Sequence, residues 1–201
     1  KGRLFCCSFL IEYGIIIVLS LFAGFPTGQQ STQGGAPMEL YLKQTSIPGH
    51  TLFLIQDASG RLLYRLWGNP RSLRSVFALM DEHDREKARI LRVGTAEMGM
   101  YEIRLYQGDH IRVICQKAIH RGSMLVQGKN WHIRGNLENR SFDVMEKKRV
   151  LMTHEPCWPE DGSLCYGITV EGNEAEQLFC LCIAMIVDST PLQPGRCMVP
   201  V

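Results

Sequence analysis

Residues Glu174 to Ser189, EAEQLFCLCIAMIVDS, constrain the fold more than any other stretch of the chain. From Leu178 through Val187 the segment is apolar on every side when wound as a helix. Such a helix must lie inside a protein core or a bilayer. Asn173 is placed to act as N-cap, and Glu176 three positions on completes a capping-box pattern. Glu174 and Glu176 suit the positive end of the helix dipole. At ~1.5 Å per residue the helix is a rod of roughly 24 Å. Asp188, Ser189, Thr190 and Pro191 then end it, because the residue before a proline resists the α conformation. The apolar part is about half the length that a bilayer span requires, which favours a protein core.

The sequence upstream supplies a container. Leu40 and Leu42 alternate in MELYLK, after which short β-type runs come in pairs around polar turns. Thr51–Gln56 and Leu62–Trp67 flank a D-x-x-G turn; Val76–Met80 and Ala88–Val93 flank a charged one. Met100–Tyr106 with His110–Gln116, Ser123–Gln127 with Trp131–Arg134, and Ser141–Met145 with Val150–His154 repeat the pattern. Leu164–Val170 is the last strand before the helix. Tyr101, Ile103 and Leu105 alternate with Glu102, Arg104 and Tyr106, giving one buried face and one wet face. About twelve strands in successive hairpins make a mainly β fold, and a single sheet of that size should curl or close. A closed antiparallel barrel this wide cannot be filled by strand side chains alone. The C-terminal helix is the expected filling, so the domain is expected to span residues 38–189.

On either side of that domain the chain reads differently. Residues 5 to 25 form an apolar run preceded by Lys1 and Arg3, long enough for a membrane anchor but interrupted by Glu12. A Gly/Gln/Ser/Thr-rich segment, Pro26 to Pro37, reads as disordered linker before Met38. Gln33-Gly34-Gly35 can be encoded with the purine run of a bacterial ribosome-binding site. Residues 1–37 are therefore expected to be translated upstream sequence, with a membrane anchor as the alternative. Residues 190–201 read as a flexible tail. Cytoplasmic placement is expected, with anchoring to a membrane by residues 5–25 as the alternative.

The 201 residues carry a net charge of +2, so no global field points to nucleic acid or to an anionic membrane. The eight cysteines include no CxxC pair. Most read as reduced, buried small hydrophobes, with a Cys157–Cys165 bridge as the alternative. The six histidines are scattered and read as surface residues, and no metal or cofactor motif is present. His154 to Gly162 reads as the longest loop. A thiol–imidazole pair of Cys157 with His154 is conceivable there, although spacing is its only support. The remaining candidate is cationic. Arg61, Arg65, Arg71, Arg74, Arg89 and Arg92, with Arg85 and Lys87, concentrate in the first hairpins and could face anionic headgroups. Asp81, Glu82, Asp84 and Glu86 interleave with them, which is also the pattern of a mixed solvated face.

LYLKQ (Leu40–Gln44), the D-x-x-G hairpin turn, MYEIRLY (Met100–Tyr106), GKNWHIRGN (Gly128–Asn136) and the helix ending in Val187-Asp188 resemble one known family in order and spacing. These are the LURP-one-related proteins of the tubby-like C-terminal superfamily, and the resemblance covers residues 38 to 189. It implies a twelve-stranded antiparallel barrel around a central hydrophobic helix. That superfamily also includes tubby proteins, which bind phosphoinositide headgroups, and phospholipid scramblases. No phosphoinositide motif carries over to numbered positions here, nor does a scramblase calcium segment or cysteine cluster. The expected function is a non-enzymatic binding or scaffold module for a lipid headgroup, a small ligand or a protein. The alternatives are a membrane-associated, scramblase-like lipid handler and an enzyme built around Cys157.

Overall fold

A computed structural model describes residues 37–47, 50–68, 76–94, 98–116, 123–157 and 165–189. The strands are β1 (Met38–Ile47), β2 (His50–Asp57), β3 (Leu62–Gly68), β4 (Val76–Asp81), β5 (Glu86–Arg92) and β6 (Met98–Leu105). They continue as β7 (His110–Gln116), β8 (Ser123–Gln127), β9 (Trp131–Asn136), β10 (Ser141–Glu146), β11 (Arg149–Cys157) and β12 (Cys165–Val170). The helix α1 follows at Glu174–Ser189. Each strand pairs antiparallel with its neighbours in sequence, and β1 pairs with β12 from Met38↔Val170 to Lys43↔Cys165, closing the barrel. The expectations for the segment before residue 37 and for the tail after 189 lie outside the described residues. No described helix is long and apolar enough to cross a membrane.

Turn chemistry explains why the strands succeed one another as hairpins. Asp57 Oδ1 accepts the backbone N–H groups of Ser59 (2.9 Å) and Arg61 (3.0 Å). Asp81 Oδ1 accepts those of His83 and Arg85 at the same offsets and the same distances. The fourth residue of each turn has positive φ: Gly60 at 82° and Asp84 at 63°. Glycine takes that conformation without strain, and aspartate tolerates it better than most. Each turn adjoins a register shift, at Ile55/Gln56 and at Leu79/Met80, which increases the local twist.

Inside, the alternation resolves as the sequence implies. Leu40, Leu42, Phe53, Ile55, Leu79, Ile90, Ile103, Ile111, Val113, Val144 and Ile168 are buried around the axis. Every residue of α1 from Leu178 to Asp188 is buried. Trp131 of β9 meets Phe179 of the helix edge to face, with ring centroids 6.2 Å apart. The helix is the core of the barrel. Its entrance has the expected capping box: Asn173 Oδ1 accepts Glu176 N–H (3.0 Å), and Glu176 Oε2 accepts Asn173 N–H (3.1 Å).

Two expectations near residue 154 need correcting. The strand expected to end at His154 runs on through Glu155, Pro156 and Cys157, which are not loop but the end of β11, paired with β12 as far as Cys157↔Cys165. His154 is not a surface histidine; it is fully buried inside the barrel. His154 shares the inward phase of Met152 on β11, and the polar residues on both sides of it hid that phase.

Candidate functional site

Two polar constellations stand out, one inside the barrel and one on its wall. The inner one closes the far end of α1. Arg140, in the turn between β9 and β10, donates from Nη1 to the Val187 carbonyl (2.6 Å) and to Asp188 Oδ1 (2.7 Å). His154 Nε2 lies 3.1 Å from Asp188 Oδ2. Its Nδ1 lies 2.7 Å from the Arg140 carbonyl and donates to it, since a carbonyl oxygen only accepts. The imidazole is stacked between Phe142 (4.7 Å) and Tyr166 (4.8 Å), and the Arg140 guanidinium sits 5.9 Å from the Tyr166 ring centre. All three polar side chains are buried. The cluster satisfies a carbonyl at the helix end and pairs an acid that would otherwise repel the negative end of the dipole. We call it the latch. Its groups are engaged with one another, and it is built to hold structure.

The outer constellation is a groove of about 240 Å³ across β1, β12 and β11, lined by Glu39, Tyr41, Thr153, Glu155, Cys157 and Gly167 among others. The rows Glu39–Thr169–Thr153 and Tyr41–Gly167–Glu155 run side by side across the three strands. Gly167 opens the dip between Tyr41 and Glu155; an added Cβ there would come no nearer than 3.9 Å to the Glu155 carbonyl. At one end Cys157 and Cys165 face each other across β11 and β12, both as free thiols. Burial, and then a hydrogen bond with Cys165, push the Cys157 thiol up to about 12. An activated nucleophile needs the opposite shift. His154 and Cys157 also point to opposite faces of β11, so the strand keeps the imagined thiol–imidazole pair apart.

The arginines of the first hairpins divide by location. Arg61 pairs with Asp57 (3.4 Å), and Arg65 pairs with Asp84. Arg89 grips Glu86 through two hydrogen bonds of 2.9 and 2.6 Å. Arg85 pairs with Asp81 (2.8 Å), and Lys87 reaches across to Glu174 at the helix entrance (2.7 Å). Arg92 shares the phase of inward-facing Ile90 at the end of β5, so it does not stand on the wall beside Arg89. Arg71 and Arg74 lie outside the described residues. The wall of β3 to β5 thus carries Arg65 and Arg89, with half-exposed Trp67 (50%) and Val76 (43%) between and beside them. No described group of three or more His, Cys, Asp or Glu could hold a metal ion.

Sequence reasoning missed the latch. Arg140 carried no pattern, and His154 was hidden among polar neighbours. One signal was present: Asp188 ends an apolar helix at the pole where an acid is disfavoured, so it calls for a cation.

Comparison with known proteins adds three findings. A family model described as LURP-one-related matches residues 38–188. The X-ray structure of a protein from Arabidopsis thaliana is similar at 15% identity, covering 77% of this chain and 93% of that one, with a TM-score of 0.49. No curated protein matches.

Proposed function

Because the chain belongs to the LURP-one-related family, we propose that it is a non-enzymatic binding module working through its outer wall. The observation that carries this reading is the filled interior. From Leu178 to Asp188 the helix occupies the barrel, and the inner polar groups of the latch are committed to one another. A partner is left with the outside. The β3–β5 wall sets exposed Trp67 and Val76 beside Arg65 and Arg89, an aromatic and cationic mixture suited to an anionic lipid surface. Headgroup phosphates would have to displace Asp84 and Glu86 from these arginines, so binding is expected to be weak and sensitive to salt. Flotation with vesicles containing anionic lipid tests it. Binding at low ionic strength that is lost in Arg65→Glu/Arg89→Glu and weakened in Trp67→Ala supports the lipid surface. No flotation at low ionic strength sinks that part and leaves a protein partner for the same wall.

A further inference from the structure

We propose that Cys157 and Cys165 form a dithiol site that low-molecular-weight disulfides convert into a β11–β12 cross-strand disulfide. The two residues are register partners, Cys157↔Cys165, on adjacent antiparallel strands. Cα atoms of such a pair lie about 4.5–5.5 Å apart, inside the range of about 4.4–6.8 Å that a disulfide accepts. Both side chains stand on the outer face, and their thiols already share a hydrogen bond, which holds the two sulfurs beside each other. The other described cysteines lack this arrangement. Cys115 faces Gly99 and Met124 across its neighbouring strands, while Cys180 and Cys182 are sealed inside the barrel.

Access decides the order of events. Cys157 is half-buried and opens onto the groove, whereas Cys165 is 8% exposed. Cys157 therefore loses its proton to solvent and attacks one sulfur of the small disulfide. That S–S bond breaks, one small thiolate leaves and takes up a proton, and a mixed disulfide remains on Cys157. Cys165, already in contact, then attacks the Cys157 sulfur, releases the second small thiol and completes the protein disulfide. One small disulfide is reduced to two thiols, and the two protein thiols are oxidised. Burial and the neighbouring thiol push Cys157 up to about 12, so little thiolate is present at neutral pH and the exchange is slow. For the same reason the Cys157 sulfur is a poor leaving group, so reductive attack on its partner is slow once the bond is made. The bond ties β11 to β12 beside Tyr166, which stacks on His154 of the latch.

Equilibrating the full chain with mixtures of glutathione and glutathione disulfide, then alkylating and mapping peptides by mass spectrometry, tests the site. The expected product is a Cys157–Cys165 link, with the mass lower by about two hydrogens and two alkylation sites lost. Cys165→Ser should hold a glutathione adduct on Cys157, and Cys157→Ser should leave Cys165 unmodified over the same time. The linked protein should melt roughly 5 °C higher, reversibly on reduction. If both thiols of the wild-type chain stay alkylatable under glutathione disulfide, or if either links to a different cysteine, the proposal is wrong. The wild-type map decides this even if a serine variant does not fold.

Discussion

The two ends of α1 solve the same problem in different media. At the entrance, orphan backbone N–H groups and the positive pole are answered in the open. Asn173 and Glu176 cap each other, Arg149 reaches Glu176 (3.3 Å), and Lys87 reaches Glu174 (2.7 Å). At the exit, orphan carbonyls and the negative pole are answered in the dark, by Arg140 with Asp188 and His154. Water screens the first set, and each exposed contact is worth little. The second set lies in low dielectric, where a paired charge can be close to neutral but an unpaired one is costly. The entrance therefore tunes the helix, and the exit decides whether it can sit there at all.

Between the two ends lies the largest expected effect. Ile183 is fully buried at the middle of the helix, with no polar partner at hand. Ile183→Asp should abolish cooperative unfolding and expose the barrel interior, read by circular dichroism and size-exclusion. A variant as folded and as stable as the parent would mean that α1 is not the core.

Next comes the exit. Asp188→Leu leaves the Arg140 guanidinium buried without its carboxylate, and should cost about 3–5 kcal/mol in denaturant unfolding. Arg140→Met combined with Asp188→Leu removes both charges, and should recover much of that loss. The sign of the coupling is the test: if the double variant is as damaged as the two single losses added, the latch is not a charge pair.

The same contrast explains what could be read from the chain alone. Hairpins and the entrance cap are local. Asp57 with Gly60, or Asn173 with Glu176, are separated by three residues, so a periodic or spaced pattern carries them. The barrel followed from counting such pairs and asking what fills the middle. The latch is assembled from residues 14 to 48 positions apart in sequence, and no spacing records that contact. His154 was misplaced because Thr153, Glu155 and Pro156 make the end of β11 look like a polar loop. The sequence offered Cys157 with Cys165 only as an alternative bridge; their cross-strand register exists because β11 runs to residue 157. The arginines of the first hairpins were legible as a cluster but not as ion pairs, since the partner of Arg65 lies across a turn at Asp84.

A smaller effect is expected at the entrance. Asn173→Ala removes the acceptor for Glu176 N–H and should cost about 1 kcal/mol, with the fold intact. A loss as large as that of Asp188→Leu would erase the distinction between the two ends.

A last test, read through its pH dependence, separates partnering from depth. Asp81 sits at the β4–β5 turn, with two backbone N–H bonds and the Arg85 guanidinium on its carboxylate. Burial works to raise its pKa, but the Arg85 and His83 bonds and the Arg85 charge together lower it from 3.8 to about 2. A folded pKa below the unfolded one stabilises the fold while the group is ionised, so the contribution is complete above about pH 5 and fades as pH falls through about 4 to 2. Asp57, held by the equivalent bonds at the β2–β3 turn, is lowered in the same direction. The stability difference between the parent and Asp81→Asn, measured by denaturant midpoint, should be flat from pH 7 to about 5 and shrink below about 4. If it stays constant to pH 2, Asp81 acts through turn geometry rather than charge, and partnered carboxylates at the rim carry no part of the acid sensitivity.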